Sequence, residues 1–383
     1  MKKELGVYVH IPFCIQKCKY CDFLSAPATD EVMECYVQGL LKQIDSFRNT
    51  ELFLKNDYEA ATVFLGGGTP SILKAEQIAR ILDRITDIFR CRKDTEVTLE
   101  ANPGTLTEEK LKGFGAAGVN RLSIGVQATD NHMLNILGRI HTYEQFLSNY
   151  DMARKAGFSN INLDFMSGLP GQTLKQWEET MIKAARLGPE HISAYSLMIE
   201  PGTVFYQMYD GHPEELPEEE TERKMYEITK DILDSYGYHR YEISNYSKSG
   251  FECRHNEGYW KRKEYVGFGT GAASLLSDTR YSQNRETAFF LENPDWTENV
   301  VQWEPLDVTA RMEETMFLGL RRMEGVCRED FYRQFGRTME EVYGDVVNRY
   351  CAMGLLKEQE GKISLTEEGI SVSNIIFSDF LIS

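Results

Sequence analysis

Six short runs in the first half of the chain carry apolar residues at strand-like spacing: residues 6–10, 62–65, 97–100, 121–125, 160–164 and 191–196. Between them the apolar positions change period. Ile78, Ile81, Leu82, Ile85 and Phe89, and later Leu174, Trp177, Met181 and Ala185, fall three or four residues apart, as one face of a helix requires. Strands alternating with helices predict an α/β fold with a parallel sheet and right-handed crossovers. Six such units either curl into a partial (β/α)6 barrel or lie open as a doubly wound sheet, and periodicity does not choose between them.

The pattern changes near residue 201. Residues 210–223 are rich in Pro and Glu and lead into a helical run at 222–236. After residue 305 the chain turns helical, then ends in two strand-like runs around Glu360-Gly361, a plan that resembles a winged-helix module. The expected organisation is a core barrel at 1–205, a connecting α/β segment at 206–304 and a winged-helix-like domain at 305–383.

Composition narrows the class. The 383 residues are 42% hydrophobic and 26% charged, ordinary for a globular enzyme. No stretch approaches the roughly 18 apolar residues of a membrane helix. Met1-Lys2-Lys3-Glu4 leads into a strand without a secretory signal, so a cytoplasmic location is expected. A net charge of −17 argues against general nucleic-acid binding. The last module, with nine Lys/Arg against fourteen Asp/Glu, reads as a packing or partner domain.

Chemistry gathers where the strands end. The first run leads to His10 and Cys14, the second to Gly66-Gly67-Gly68-Thr69-Pro70, the third to Glu100-Ala101-Asn102-Pro103-Gly104. The fourth reaches Gln127, the fifth ends at Asp164 before Gly168-Leu169-Pro170-Gly171, and the sixth ends near Tyr195 and Met198. Carboxyl ends of parallel strands form the active face of such folds, so these residues are expected on one site. Taken singly, each loop is also explained by Gly and Pro punctuating a turn.

Cys14, Cys18 and Cys21 have the spacing C-x3-C-x2-C, whereas Cys35, Cys91, Cys253, Cys327 and Cys351 are scattered. Three thiolates on one loop suit an iron–sulfur cubane with one iron left open. A structural zinc normally draws on paired C-x2-C units, and no second pair exists. C-x3-C-x2-C after one strand and Gly-Gly-Gly-Thr-Pro after the next resemble the fingerprint of the radical S-adenosylmethionine (SAM) superfamily. The resemblance implies a [4Fe–4S] cluster held by Cys14, Cys18 and Cys21, with SAM on the open iron. It also implies cofactor contacts from Tyr8, Tyr20, Gly67, Gly68, Thr69, Glu100, Gln127, Arg139, Asp164, Met198 and Ala273. Among these, Tyr20 matches the aromatic near the adenine, Arg139 suits the methionine carboxylate, Asp164 suits the ribose hydroxyls, and Ala273 follows the 267–271 glycine run.

Finer motifs are Tyr8-Val-His-Ile-Pro-Phe-Cys14, Cys21-Asp22-Phe23, Gly118 to Gln127, Leu169-Pro-Gly-Gln-Thr173 and Tyr241-Glu-Ile-Ser-Asn245. Together they resemble the family of oxygen-independent coproporphyrinogen III oxidase and its relatives over nearly the whole chain. The oxidase branch continues its third cysteine with Gly-Cys and carries a longer N-terminal arm. Cys21-Asp-Phe and the sequence His255-Asn256-Glu257-Gly258-Tyr259-Trp260 match instead the HemW-type haem-chaperone branch. That branch implies binding of haem or another tetrapyrrole, with delivery to an acceptor protein and an electron donor such as flavodoxin or ferredoxin. It also offers His255 as an axial ligand of haem iron, with Tyr259 and Trp260 against the porphyrin. His255 and Asn256 capping a turn, with Trp260 in the core, is the other reading of the same residues. The competing function is oxidative decarboxylation of coproporphyrinogen III.

Overall fold

The computed structural model describes residues 2–382. Six parallel strands, β1 (Lys3–Ile11), β2 (Tyr58–Gly67), β3 (Glu96–Ala101), β4 (Arg121–Gln127), β5 (Ile161–Ser167) and β6 (His191–Ser196), lie side by side in chain order. A doubly wound sheet would reverse its strand order part-way; this one does not. The alternating side chains explain the curl. Val7, Val9, Ile11, Val63, Leu65, Val97, Leu99, Leu122, Ile124, Ile161, Leu163 and Ile192 share one buried core with Ile78, Ile81 and Ile85 of the helix Ala75–Phe89. The intervening positions are largely polar and equally buried, among them Thr62, Thr98, Arg121, Ser123, Asn162, His191 and Ser193. Period-two alternation therefore gives an apolar face under the helices and a polar lumen.

The arc is not closed. β7 (His239–Glu242) and β8 (Asn245–Ser247) extend it antiparallel beyond β6, while β9 (Tyr265–Phe268) adds a further parallel strand outside β1. Then β10 (Ala273–Leu276), β11 (Thr279–Gln283) and β12 (Val300–Pro305) continue antiparallel. Strands from 239–305 thus widen the barrel sheet on both edges. The C-terminal residues build their own core, including Met312, Met316, Phe331, Tyr343, Val347 and Ile363. There β13 (Val326–Cys327), β14 (Leu356–Gln359) and β15 (Lys362–Leu365) form an antiparallel sheet beside the helices Val308–Gly319, Arg328–Phe335 and Met339–Ala352. No helix among the described residues is long and apolar enough to cross a membrane.

Candidate cofactor site

The cysteine loop begins where β1 leaves the core, and backbone hydrogen bonds pin it. Cys14 N donates to Ala26 O at 3.1 Å and Lys19 N to Leu137 O at 3.0 Å, while Phe205 N donates to Lys19 O at 2.9 Å. The glycine loop after β2 is joined to it, Gly68 N donating to Ile11 O at 2.9 Å and Thr69 N to Phe13 O at 2.8 Å. Cys14 is buried with its Sγ 3.3 Å from Thr69 Oγ1. Arg139 Nη1 lies 3.5 Å from Cys18 Sγ. Burial pushes the Cys21 thiol up to about 11, with Cys18 and Cys14 near enough to add to the effect.

Among the described residues no three His, Cys, Asp or Glu side chains already stand in a metal-holding arrangement. The donor set nevertheless fits an iron–sulfur cluster: three unpaired thiols on one pinned loop, with Arg139 beside them. The neighbouring glycines let the two loops pack closely against each other. Gly67 has φ +106°, and a Cβ there would stand 2.5 Å from the His10 ring; at Gly68 it would stand 2.6 Å from Phe13 O. Only bare backbone fits both places.

The other strand ends meet these loops. Gly67 N donates to Glu100 Oε2 at 3.0 Å. Burial, reinforced by the nearby Asp164, pushes the Glu100 carboxyl up to about 8. Asp164 accepts from Asn162 Nδ2 at 2.7 Å and from Ser123 Oγ at 3.1 Å. Arg139 donates to Gly125 O at 2.5 Å and also to Asn102 Oδ1, while Asn102 Nδ2 donates to Thr69 Oγ1 at 2.8 Å. Gln127, beyond a bulge in β4, is held at φ +69°, a left-handed conformation uncommon outside glycine. Tyr20 packs against Phe205, ring centroids 6.4 Å apart, and the Tyr8 hydroxyl lies 3.0 Å from His10 Nδ1. Met198, in the loop after β6, is 69% exposed, and Ala273 is exposed at the start of β10.

Thr69, Arg139, Cys14 and Cys18 thus share one network, and Asn102 is its centre. In the sequence Asn102 stands at a strand end, and no motif gives it a role. The available signal was its position between Glu100 and Pro103, where a side chain at a strand end faces the mouth. His10 likewise stands at a strand end with no motif to give it a role, and Arg121 was missed: 2% exposed, it fills the lumen between Glu96 and Asp164. Its signal is a charge in register with inward-facing Ser123.

His255, 3% exposed, sits in the half of the lumen opposite the cysteine loop. Its Nδ1 lies 2.8 Å from Thr62 Oγ1 and its Nε2 2.9 Å from Tyr259 Oη. The short helix Arg254–Trp260 inserts the ring among β1 and β2 residues, beside a cavity of about 360 Å³ that His255 and Tyr259 help to line. Trp260 lies under Arg321, 4.6 Å from its ring centroid.

A family model described as the Radical SAM superfamily matches residues 8–184, and one described as the HemN C-terminal domain matches 306–372. The chain is 37% identical to the "Heme chaperone HemW" of Bacillus subtilis, covering 98% of this chain and 99% of that protein. It is 36% identical to the protein of the same name from Lactococcus lactis, covering 100% and 98%. Among solved structures, coproporphyrinogen III oxidase (HemN) from Escherichia coli superposes with a TM-score of 0.84 at 21% identity, covering 100% of this chain and 91% of that one, a likeness of fold. The cysteine loop, its glycine partner and these full-length similarities place the chain in the radical SAM superfamily, within the family of the HemW haem chaperones.

Proposed function

We propose that this chain is a haem chaperone, which binds haem and passes it to an acceptor protein, with a [4Fe–4S] cluster and SAM as resident cofactors. The observation that carries the reading is full-length similarity, at 37% and 36% identity, to two proteins named haem chaperones. The surface around the mouth supports it. Ile15 (51%), Phe23 (61%) and Met198 (69%) stand exposed on loops at the carboxyl ends of the strands, where an apolar macrocycle could lie.

Cys14, Cys18 and Cys21 hold the cluster, and a cluster with SAM bound supplies one-electron chemistry. Arg139, held by Asn102, would pair with the methionine carboxylate through its fork. Its buried Nε has no partner and is free to donate. Gly67 and Gly68 let main chain approach the amino group, Asp164 takes the ribose hydroxyls, and Tyr20 lies beside the adenine. Thr69, Glu100, Gln127 and Tyr8 shape the same pocket, with Met198 and Ala273 on its rim. An electron carrier such as flavodoxin or ferredoxin completes the partner set, in the cytoplasm.

The test is made on anaerobically assembled protein. Haem loaded on the chain is expected to move to a haem-free acceptor, while coproporphyrinogen III with SAM and reductant remains unconverted. Conversion to protoporphyrinogen IX would replace this reading with the oxidase.

A further inference from the structure

Polar side chains cross the lumen in one row. Ser123 of β4 stands opposite Asn162 of β5, which stands opposite His191 of β6; two residues further along, Asp164 stands opposite Ser193. Of these five only Asp164 is not fully buried. Buried polar groups are costly unless bonded, and these bond one another. His191 Nδ1 lies 2.6 Å from Asn162 Oδ1, and Ser193 Oγ donates to the same oxygen at 3.1 Å. Asn162 Nδ2 donates to Asp164 Oδ1 at 2.7 Å and to Ser123 Oγ at 2.8 Å. Ser123 Oγ donates in turn to Asp164 Oδ2 at 3.1 Å. On the far side His191 Nε2 lies 2.8 Å from Tyr241 Oη, which accepts from Cys253 N at 3.2 Å.

One set of proton positions satisfies this chain. Asn162 commits both amide protons to Asp164 and Ser123, so its oxygen faces His191 and the imidazole donates from Nδ1. Nε2 then holds the lone pair and accepts from the Tyr241 hydroxyl. Both rings are neutral. Burial, with Arg121 nearby, lowers the His191 pKa well below its usual value, and burial raises the Tyr241 phenol well above its own. The bonds therefore all run one way, from Cys253 N to the Asp164 carboxylate as last acceptor. Each Asp164 oxygen receives one bond from this relay, Oδ1 from Asn162 and Oδ2 from Ser123. A carboxylate accepts about four, so roughly two positions remain, matching a pair of adjacent hydroxyls.

We propose that Asn162, His191 and Tyr241 are positioning residues for SAM: their relay turns the Asn162 amide so that its N–H groups hold the Asp164 carboxylate in the orientation that receives the ribose hydroxyls. The amide alone has two nearly isosteric orientations, and the flipped one would set its oxygen against the carboxylate. His191, itself oriented by Tyr241, selects the productive one. The relay begins at the residue before the helix Arg254–Trp260, so the ribose end of the site is bonded through to the other half of the lumen.

This inference rests on the reading that Asp164 takes the ribose hydroxyls. Its test uses the full chain with cluster assembled, SAM and its 2′-deoxyribose analogue as probes in equilibrium dialysis, and Asp164→Asn, Asn162→Asp and Tyr241→Phe. The parent should prefer SAM over the analogue by about tenfold. Asn162→Asp keeps the volume and removes the donor; SAM should weaken about tenfold and the analogue by less than about twofold, so the preference vanishes. Tyr241→Phe should move the preference the same way by about threefold. Equal weakening of both probes in Asn162→Asp, or an unchanged preference, overturns the proposal, because a merely structural role would not distinguish the sugars. Should Asn162→Asp fail to fold, Tyr241→Phe decides by the same ratio. A preference retained in Asp164→Asn sinks the ribose reading itself. The relay is then judged without ligand by ¹⁵N NMR of His191, assigned by its loss in His191→Phe: a neutral Nδ1–H ring is expected, and an Nε2–H ring overturns the relay.

Discussion

At the scale of single residues, the site depends on a few side chains that cannot be exchanged. Cys14→Ala, Cys18→Ala and Cys21→Ala should each abolish the visible absorbance of the assembled cluster while leaving the far-UV spectrum intact. Cys35→Ala, on an exposed helix position, should keep it. Asn102 bridges Thr69 and Arg139, so Asn102→Ala is expected to weaken SAM binding in equilibrium dialysis by about tenfold, the equivalent of roughly 1.4 kcal/mol. The cysteines were legible in the sequence because their spacing alone defines a soft-metal loop. Asn102 was not, because its importance comes from two partners 33 and 37 residues away.

Glu100 adds a pH dependence. Its folded carboxyl is raised from 4.5 to about 8, chiefly by burial. The folded state therefore keeps a proton that the unfolded chain releases above 4.5. The group's contribution to stability is complete below that value and is lost as pH rises through about 8. In cofactor-free protein, Tm should fall over this interval, and Glu100→Gln should make the fall shallower by several degrees. An equal fall in both proteins would refute the assignment.

At the scale of elements, alternation was the reliable guide. All six strands of the barrel were legible because their outward positions are Val, Ile and Leu and their ends are polar. The crossover helices followed from their three-to-four spacing. Trp177, predicted on the core face of one of them, is 1% exposed, and its indole N–H donates to Thr229 Oγ1 at 2.8 Å. It thereby ties the helix Leu174–Leu187 to the helix Glu219–Ser235. Trp177→Ala should cost about 3–5 kcal/mol in urea denaturation. Strands β7 to β12 were not legible. Several are only three or four residues long, and β12 has mostly exposed side chains, so no apolar period marks them. The glycine run at 267–271 begins inside β9 and continues into the turn that leads to β10. Gly269 has φ +92°, and a Cβ there would meet Tyr36 Oη at 2.5 Å and His10 O at 2.6 Å.

At the scale of the whole molecule, one end of the lumen carries the cofactor loops and exposed apolar side chains, while His255 and Arg121 are buried toward the other, where His255 lines a cavity of about 360 Å³. The family resemblance correctly foresaw the superfamily, the fold and the haem-chaperone relatives. The chaperone account requires the intact molecule to take up haem in a defined amount. Anaerobic hemin titration of the cluster-loaded chain, followed through the Soret band, measures this directly. The account predicts saturation at a fixed whole-number ratio of haem to chain; a linear rise without saturation, indistinguishable from hemin in buffer, would contradict it.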